Sequence, residues 1–159
     1  MLSTRRTLLA LAGMLLLAGG LFAADPYPSP ANAAADLQHA RERAKSDGKI
    51  LMVIFGGNWC EDCRVLHAKL EESPVKEYVA KHFEFVSINI GQMDANQQIA
   101  KDLGVDLKQG VPAAGFFGPD GKPVGVTHGE LEPSRRYDAN QVLTFVRKVA
   151  EEHVIEKPK

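Results

Sequence analysis

The sequence predicts an α/β domain, a mixed β-sheet with helices on both faces. Two patterns carry that expectation. Between residue 34 and about residue 103, helix-like segments alternate with short apolar runs of strand length, the order that builds a sheet from crossovers. Two further strand-like stretches are then joined by Gly118-Pro119-Asp120-Gly121, a turn signal that makes them an antiparallel hairpin, and an amphipathic segment follows. A chain of 159 residues has room for one such domain and a targeting segment.

The N-terminus reads as targeting. Arg5 and Arg6 precede an uncharged, leucine-rich run over 7–24, a basic region followed by an apolar core of secretory-signal length. Thr4-Arg5-Arg6-Thr7-Leu8-Leu9 also matches a twin-arginine export pattern. Gly19 and Gly20 stand where a lipoprotein signal needs cysteine. Ala31-Asn32-Ala33 is an A-x-A cleavage site behind the helix-breaking DPYPSP, and a cut near Ala23 or Ala24 is the second option. The expectation is a signal peptide with a Pro/Ala-rich linker over 1–33 and a domain over 34–159. The expected location is a bacterial periplasm, with an uncleaved inner-membrane tether as the alternative. The apolar run falls a little short of the ~20 residues of a spanning helix.

Within the domain, 34–47 sets Leu37, Ala40 and Ala44 on one helical face, with Gly48 at the exit. KILMVIF, 49–55, is a continuous apolar run, the pattern of a strand covered on both sides. GGN breaks it, and 60–72 returns to helical spacing with Val65, Leu66, Ala68 and Leu70. Ser73-Pro74 interrupts that helix and VKEYVAKH resumes it. FEFVSINI, 83–90, is expected to be a second buried strand. Residues 94–103 form a helix with Asp94 as cap and Gln97 three positions on, a capping-box pattern. AAGFF and KPVGVT make the hairpin, and 139–153 is the last helix, with Val142, Phe145, Val146 and Val149 as its stripe.

Charge excludes one class of partner. Lys and Arg number 19 against 20 Asp and Glu, and loss of Arg5, Arg6 and Asp25 with residues 1–33 leaves the balance near neutral. No basic block offers an electrostatic footprint for nucleic acid.

The only two cysteines stand in FGGNWCEDCRVL, two residues apart. About 125 residues bury an ordinary core without disulfide help, and a bridge across two residues removes little unfolded-state entropy. Cys60 falls where a buried strand ends and a helix begins, near unpaired backbone N–H groups and the positive end of the helix dipole. That setting lowers a thiol's pKa and frees its thiolate as a nucleophile. Cys63 follows one turn later, within reach to displace whatever Cys60 captures, as a dithiol that exchanges disulfides requires.

FGGNWCEDC resembles the active-site segment of the thioredoxin superfamily, in which a strand and a tryptophan lead into C-x-x-C at a helix start. GVPAAGFFGPDGKPVG resembles that family's Val/Thr-Pro followed by a strand, a hairpin and a second strand. Over roughly residues 34–152 the chain is most similar to exported members with a long loop after the last strand. The resemblance implies a thioredoxin-like fold and thiol–disulfide exchange. Cys60 is then the attacking thiol and Cys63 the resolving one. Pro112 is the cis proline beside the pair, Val111 pairs with substrate backbone, and Trp59 lines the rim. It also implies disulfide-containing protein substrates, a membrane or soluble electron-donor partner and no cofactor, since the electrons reside in the cysteines. Without a separate dimerisation segment, a monomer is expected.

The chain departs from the family twice. Classical members carry a buried aspartate six residues before the first cysteine, where Ile54 stands here, so either the resolving step is slow or another base acts, with Glu61 or Asp62 the candidate. The dipeptide between the cysteines is two carboxylates, where members use Gly-Pro, Pro-His or Glu-Pro. Two anions beside Cys60 oppose its thiolate and lower the potential of the pair. Glu61 and Asp62 are therefore expected to modulate the site toward a reductant. The alternatives are an oxidase or isomerase, a non-catalytic copper-binding protein, and a purely structural disulfide.

Two other features compete for attention. His67 lies four residues after Cys63, which invites a metal reading; three ligands could suit copper or a catalytic zinc but fall short of a structural zinc site, and a partly exposed helix histidine explains it. No metal site is expected. THGELEPSRRYD, 127–138, should emerge beside Pro112 with His128, Glu130, Arg135, Arg136 and Tyr137, as a substrate-selecting loop or a solvated connector.

Overall fold

Both faces of the central strand are covered, which explains its unbroken apolar run. In the computed structural model, which describes residues 25–158, β1 (Ile50–Gly56) turns Met52 and Ile54 to one side and Leu51, Val53 and Phe55 to the other, all buried. The targeting segment expected over 1–24 lies outside the described residues. β1 pairs in parallel with β2 (Phe83–Asn89), Met52 opposite Phe85. It pairs antiparallel with β3 (Ala113–Phe117), Val53 opposite Gly115. β3 in turn pairs with β4 (Pro123–Val126), so the sheet order is β2-β1-β3-β4. The mixed sheet with a late hairpin is the expected one.

Helices cover both faces. α1 (Ala33–Asp47) lays Leu37, Ala40 and Ala44 on the side of Leu51, Val53 and Phe55, shared with α4 (Gln97–Asp102) through Ala100. The other side holds α2 (Glu61–Leu70), α3 (Val75–His82) and α5 (Ala139–Glu152). Leu66 and Leu70, Val75 and Val79, and the four-residue stripe of α5 meet Met52, Ile54 and Phe116 there.

Three local expectations are corrected. β2 is a sheet edge, so Glu84, Phe85, Ser87 and Asn89 are only partly covered and the strand is half-buried. The helix expected from Asp94 starts at Gln97. Asn96, in left-handed conformation (φ 55°), occupies the cap position without capping, because its amide is spent on Pro30 O and Asn89 O at 2.9 and 2.7 Å. Asp94 instead accepts from Gln92 N, and Gln97 donates to Met93 O. A capping box does form at Asp138 and Gln141, at the start of α5.

The third correction concerns the N-terminal boundary. The fold begins before residue 34. Tyr27 is 2 % exposed and sits in the core beside Met52, Ile54 and Cys63. Its N–H donates to Asn58 Oδ1 (3.1 Å), its carbonyl accepts from Asn58 Nδ2 (2.9 Å), and Asn89 Nδ2 donates to Pro28 O (2.8 Å). DPYPSP is thus part of the folded body, held by asparagines at the ends of β1 and β2.

Candidate active site

Cys60 is the N-cap of α2. Its backbone is extended (φ −83°, ψ 116°), and its Sγ accepts from the Cys63 N–H at 3.2 Å, so the sulfur faces the open end of the helix. Cys60 and Cys63 form a disulfide, with Cα atoms 5.2 Å apart. Cys63 is fully buried, while Cys60 keeps 8 % exposure. That asymmetry leaves Cys60 as the more accessible sulfur of the pair.

The β3 entrance closes the other side. The Val111–Pro112 bond is cis, Pro112 is buried, and the Val111 carbonyl oxygen lies 3.6 Å from Cys60 Sγ. Trp59 is 44 % exposed and donates from its ring N–H to Gly91 O, two residues before the exposed, left-handed Met93. Trp59 and Met93 are the exposed large hydrophobic residues among the described ones. The two glycines before Asn58 are there for close approach. A Cβ on Gly56 would lie 2.6 Å from the Tyr27 hydroxyl and 2.7 Å from Cys63 Sγ, and one on Gly57 would strike the Trp59 ring.

The carboxylates between the cysteines are not left to repel the sulfur unopposed. Arg135, in the turn after Pro133, pairs with Glu61 Oε2 at 2.6 Å and with Asp62 Oδ2 at 3.4 Å. Its own N–H donates to Asp62 Oδ1 at 2.8 Å. Asp62 is buried by this contact and Glu61 remains exposed. The loop over 127–138 is therefore docked on α2. Leu131, Ser134 and Tyr137 are buried, Ser134 donates to Leu131 O, and Tyr137 donates to Glu130 O at 2.7 Å. Thr127 fixes its start, accepting from Ala114 N at 2.8 Å, two residues past Pro112.

A Thioredoxin-like family profile matches residues 32–119. The chain belongs to the thioredoxin-like family. A solved disulphide isomerase from Xylella fastidiosa Temecula1 is 32% identical, with a TM-score of 0.78, over 81% of this chain and 99% of that one. A thioredoxin from Thermus thermophilus shares the fold at 22% identity, TM-score 0.52, over 80% of this chain and 87% of its own. A thioredoxin-fold protein from Helicobacter pylori does so at 15% identity, TM-score 0.51, over 83% and 78%. A search of curated protein sequences returns no significant match.

The protein is thus a thioredoxin-like thiol–disulfide oxidoreductase built around Cys60-x-x-Cys63. Of the residues singled out in the sequence, Trp59, Cys60, Cys63, Val111 and Pro112 converge on one rim, with Glu61 and Asp62 beside it. His67 does not join them. Its ring packs 5.7 Å from that of Phe85, and among the described residues no group of three or more His, Cys, Asp or Glu is placed to hold a metal ion. Sequence reasoning missed Tyr27 and the clamp formed by Arg135. Arg135 was inside a suspected loop, but nothing local pairs it with Glu61 and Asp62. Tyr27 lay in a segment whose prolines read as linker.

Proposed function

We propose that this protein is an exported reductant of disulfides in protein substrates, with Cys60 attacking and Cys63 resolving. The observation that carries the direction is the charge beside Cys60. Two carboxylates, Glu61 and Asp62, follow Cys60 directly and disfavour its thiolate, while Arg135, paired with both, and Arg64, held on Asn58 O, offset part of that effect. A reduced form stabilised less in this way has a lower potential. Val111 and Pro112 shape the substrate groove and Trp59 its rim. The oxidised pair is reduced again by an electron-donor thiol–disulfide partner, membrane-bound or soluble, docking on the same groove. The protein works as a monomer, and Arg5, Arg6 and the apolar run after them direct its export to the periplasm. No helix among the described residues is long and apolar enough to cross a membrane.

A second reading, disulfide isomerase, draws on the Xylella protein's name and on Arg135, which removes part of the negative charge. The equilibrium potential of the Cys60–Cys63 couple against a glutathione or dithiothreitol series separates the two. A value near the thioredoxin range, about −270 mV, is expected. One above roughly −180 mV would move the protein to isomerase or oxidase work.

A further inference from the structure

We propose that the Tyr27 hydroxyl donates a hydrogen bond to the Cys63 thiolate during resolution and so stabilises that anion beside a position, Ile54, that offers no acid–base group. This rests on the assignment of Cys63 as the resolving thiol.

The geometry comes from Gly56. The Tyr27 hydroxyl and Cys63 Sγ lie 2.6 and 2.7 Å from the point where a Gly56 side chain would begin, so their separation cannot exceed the sum of those distances. Both therefore lie over the same face of Gly56. The Tyr27 backbone is clipped to Asn58 in both directions, two residues before Cys60, which fixes the ring relative to the pair.

The chemistry of the pocket leaves few other candidates. Cys63 is fully buried, and a thiol without water forms its anion only where a donor meets the charge. Besides the cysteines, the buried titratable groups among the described residues are Tyr27, Asp62 and Tyr137. Asp62 is committed to Arg135, as is exposed Glu61, and Tyr137 donates to Glu130 O. His67, further along α2, packs its ring at a tilt against Phe85. From β1 and α5 the cluster receives apolar side chains, and Tyr78 of α3, packed against it, is committed to Glu151 Oε1. The Tyr27 hydroxyl alone makes no hydrogen bond among the described residues. Burial also pushes its pKa above the usual phenol range, so it keeps its proton and acts as a donor.

In the mixed disulfide, a substrate sulfur is bonded to Cys60 Sγ. Cys63 gives up its proton, which ends on the departing substrate sulfur, and its thiolate attacks Cys60 Sγ. The Cys60–Cys63 bond forms, the bond to substrate breaks, and the substrate sulfur leaves as a thiolate that takes up a proton. Two electrons pass from the dithiol to the substrate disulfide, and the phenol keeps its hydrogen throughout.

The test uses the full chain with Tyr27→Phe, which retains the ring. In a Cys60→Ala background, thiolate absorbance and alkylation rate report Cys63 alone. Tyr27→Phe is expected to lower its thiolate population about tenfold at a given pH, the size of one charge-assisted hydrogen bond. Site-specific 3-fluorotyrosine at position 27, a stronger donor, should raise it. With both cysteines present, mixed disulfides should persist about tenfold longer in Tyr27→Phe while the first attack by Cys60 keeps its rate. An unchanged Cys63 titration in both substituted proteins overturns the inference. Cys63→Ala separates it from its premise. If that variant traps no substrate, Cys63 is not the resolving thiol and the inference falls with it. Normal trapping beside an unmoved titration sinks the Tyr27 role alone.

Discussion

His67 shows how one residue can present chemistry in the sequence and packing in the fold. Four positions after Cys63 it stands on the same helical face, yet its half-buried ring rests on Phe85. Burial lowers its pKa below the ordinary histidine value, and the nearby Glu71 carboxylate offsets part of that shift. The sign of the pH effect follows. The unfolded chain takes up a proton near pH 6.5, while the folded chain resists it until a lower pH. Between those two values the unfolded state binds more protons, so stability falls as pH drops below about 6.5 and levels once the folded pKa is passed. Thermal midpoints measured between pH 8 and pH 5 should therefore fall more steeply for the native protein than for His67→Gln. Parallel slopes would mean that this histidine is as well hydrated folded as unfolded.

At the scale of elements, the informative contact is between the loop over 127–138 and the start of α2. Its two interactions differ in kind. Arg135 and Glu61 are both more than half exposed, and such a pair contributes roughly 0–1 kcal/mol. Asp62 is buried and accepts the Arg135 backbone N–H, a donor left unpaired if the carboxylate goes. Asp62→Ala should therefore cost about 1–3 kcal/mol, and Arg135→Ala no more than ~1 kcal/mol, in urea unfolding of the oxidised protein. Equal losses would show that the side-chain pair, rather than the backbone bond, holds the loop. The same contrast explains what the sequence made legible. The sheet, the hairpin and the faces of α1 and α5 follow from periodicity, because apolar spacing and burial are the same fact there. The turn before Pro112 and the approach of the loop follow from strand direction. Its anchoring does not, since Leu131 and Ser134 are buried only once α2 is in place. The false start at Asp94 has a similar origin: its side chain fits a capping box, but Asn96 is drawn away by Pro30 and Asn89, far along the chain.

For the whole molecule, the question is where the folded protein starts. Composition marks DPYPSP as a linker, because prolines break periodicity and leave no face to read. What makes it part of the body is long-range: Asn58, Asn89 and Asn96, which local rules assign to turns, donate to the carbonyls of Tyr27, Pro28 and Pro30. Tyr27 then fills core volume between Gly56 and Cys63. Truncating a buried aromatic side chain costs about 3–5 kcal/mol. Against a total stability of roughly 5–15 kcal/mol, that is a large share. A protein beginning at residue 34 should accordingly unfold at much lower denaturant than one beginning at residue 25, and Tyr27→Ala in the longer protein should account for most of the difference. The same packing argues against cleavage at Ala31-Asn32-Ala33, where a peptidase would remove a core residue, and favours the cut near Ala23 or Ala24. The intact mass of protein recovered from a bacterial periplasm decides it. A mature chain that retains Tyr27 is expected, and one starting at Ala34 with undiminished stability would show that the N-terminal segment is dispensable to the fold.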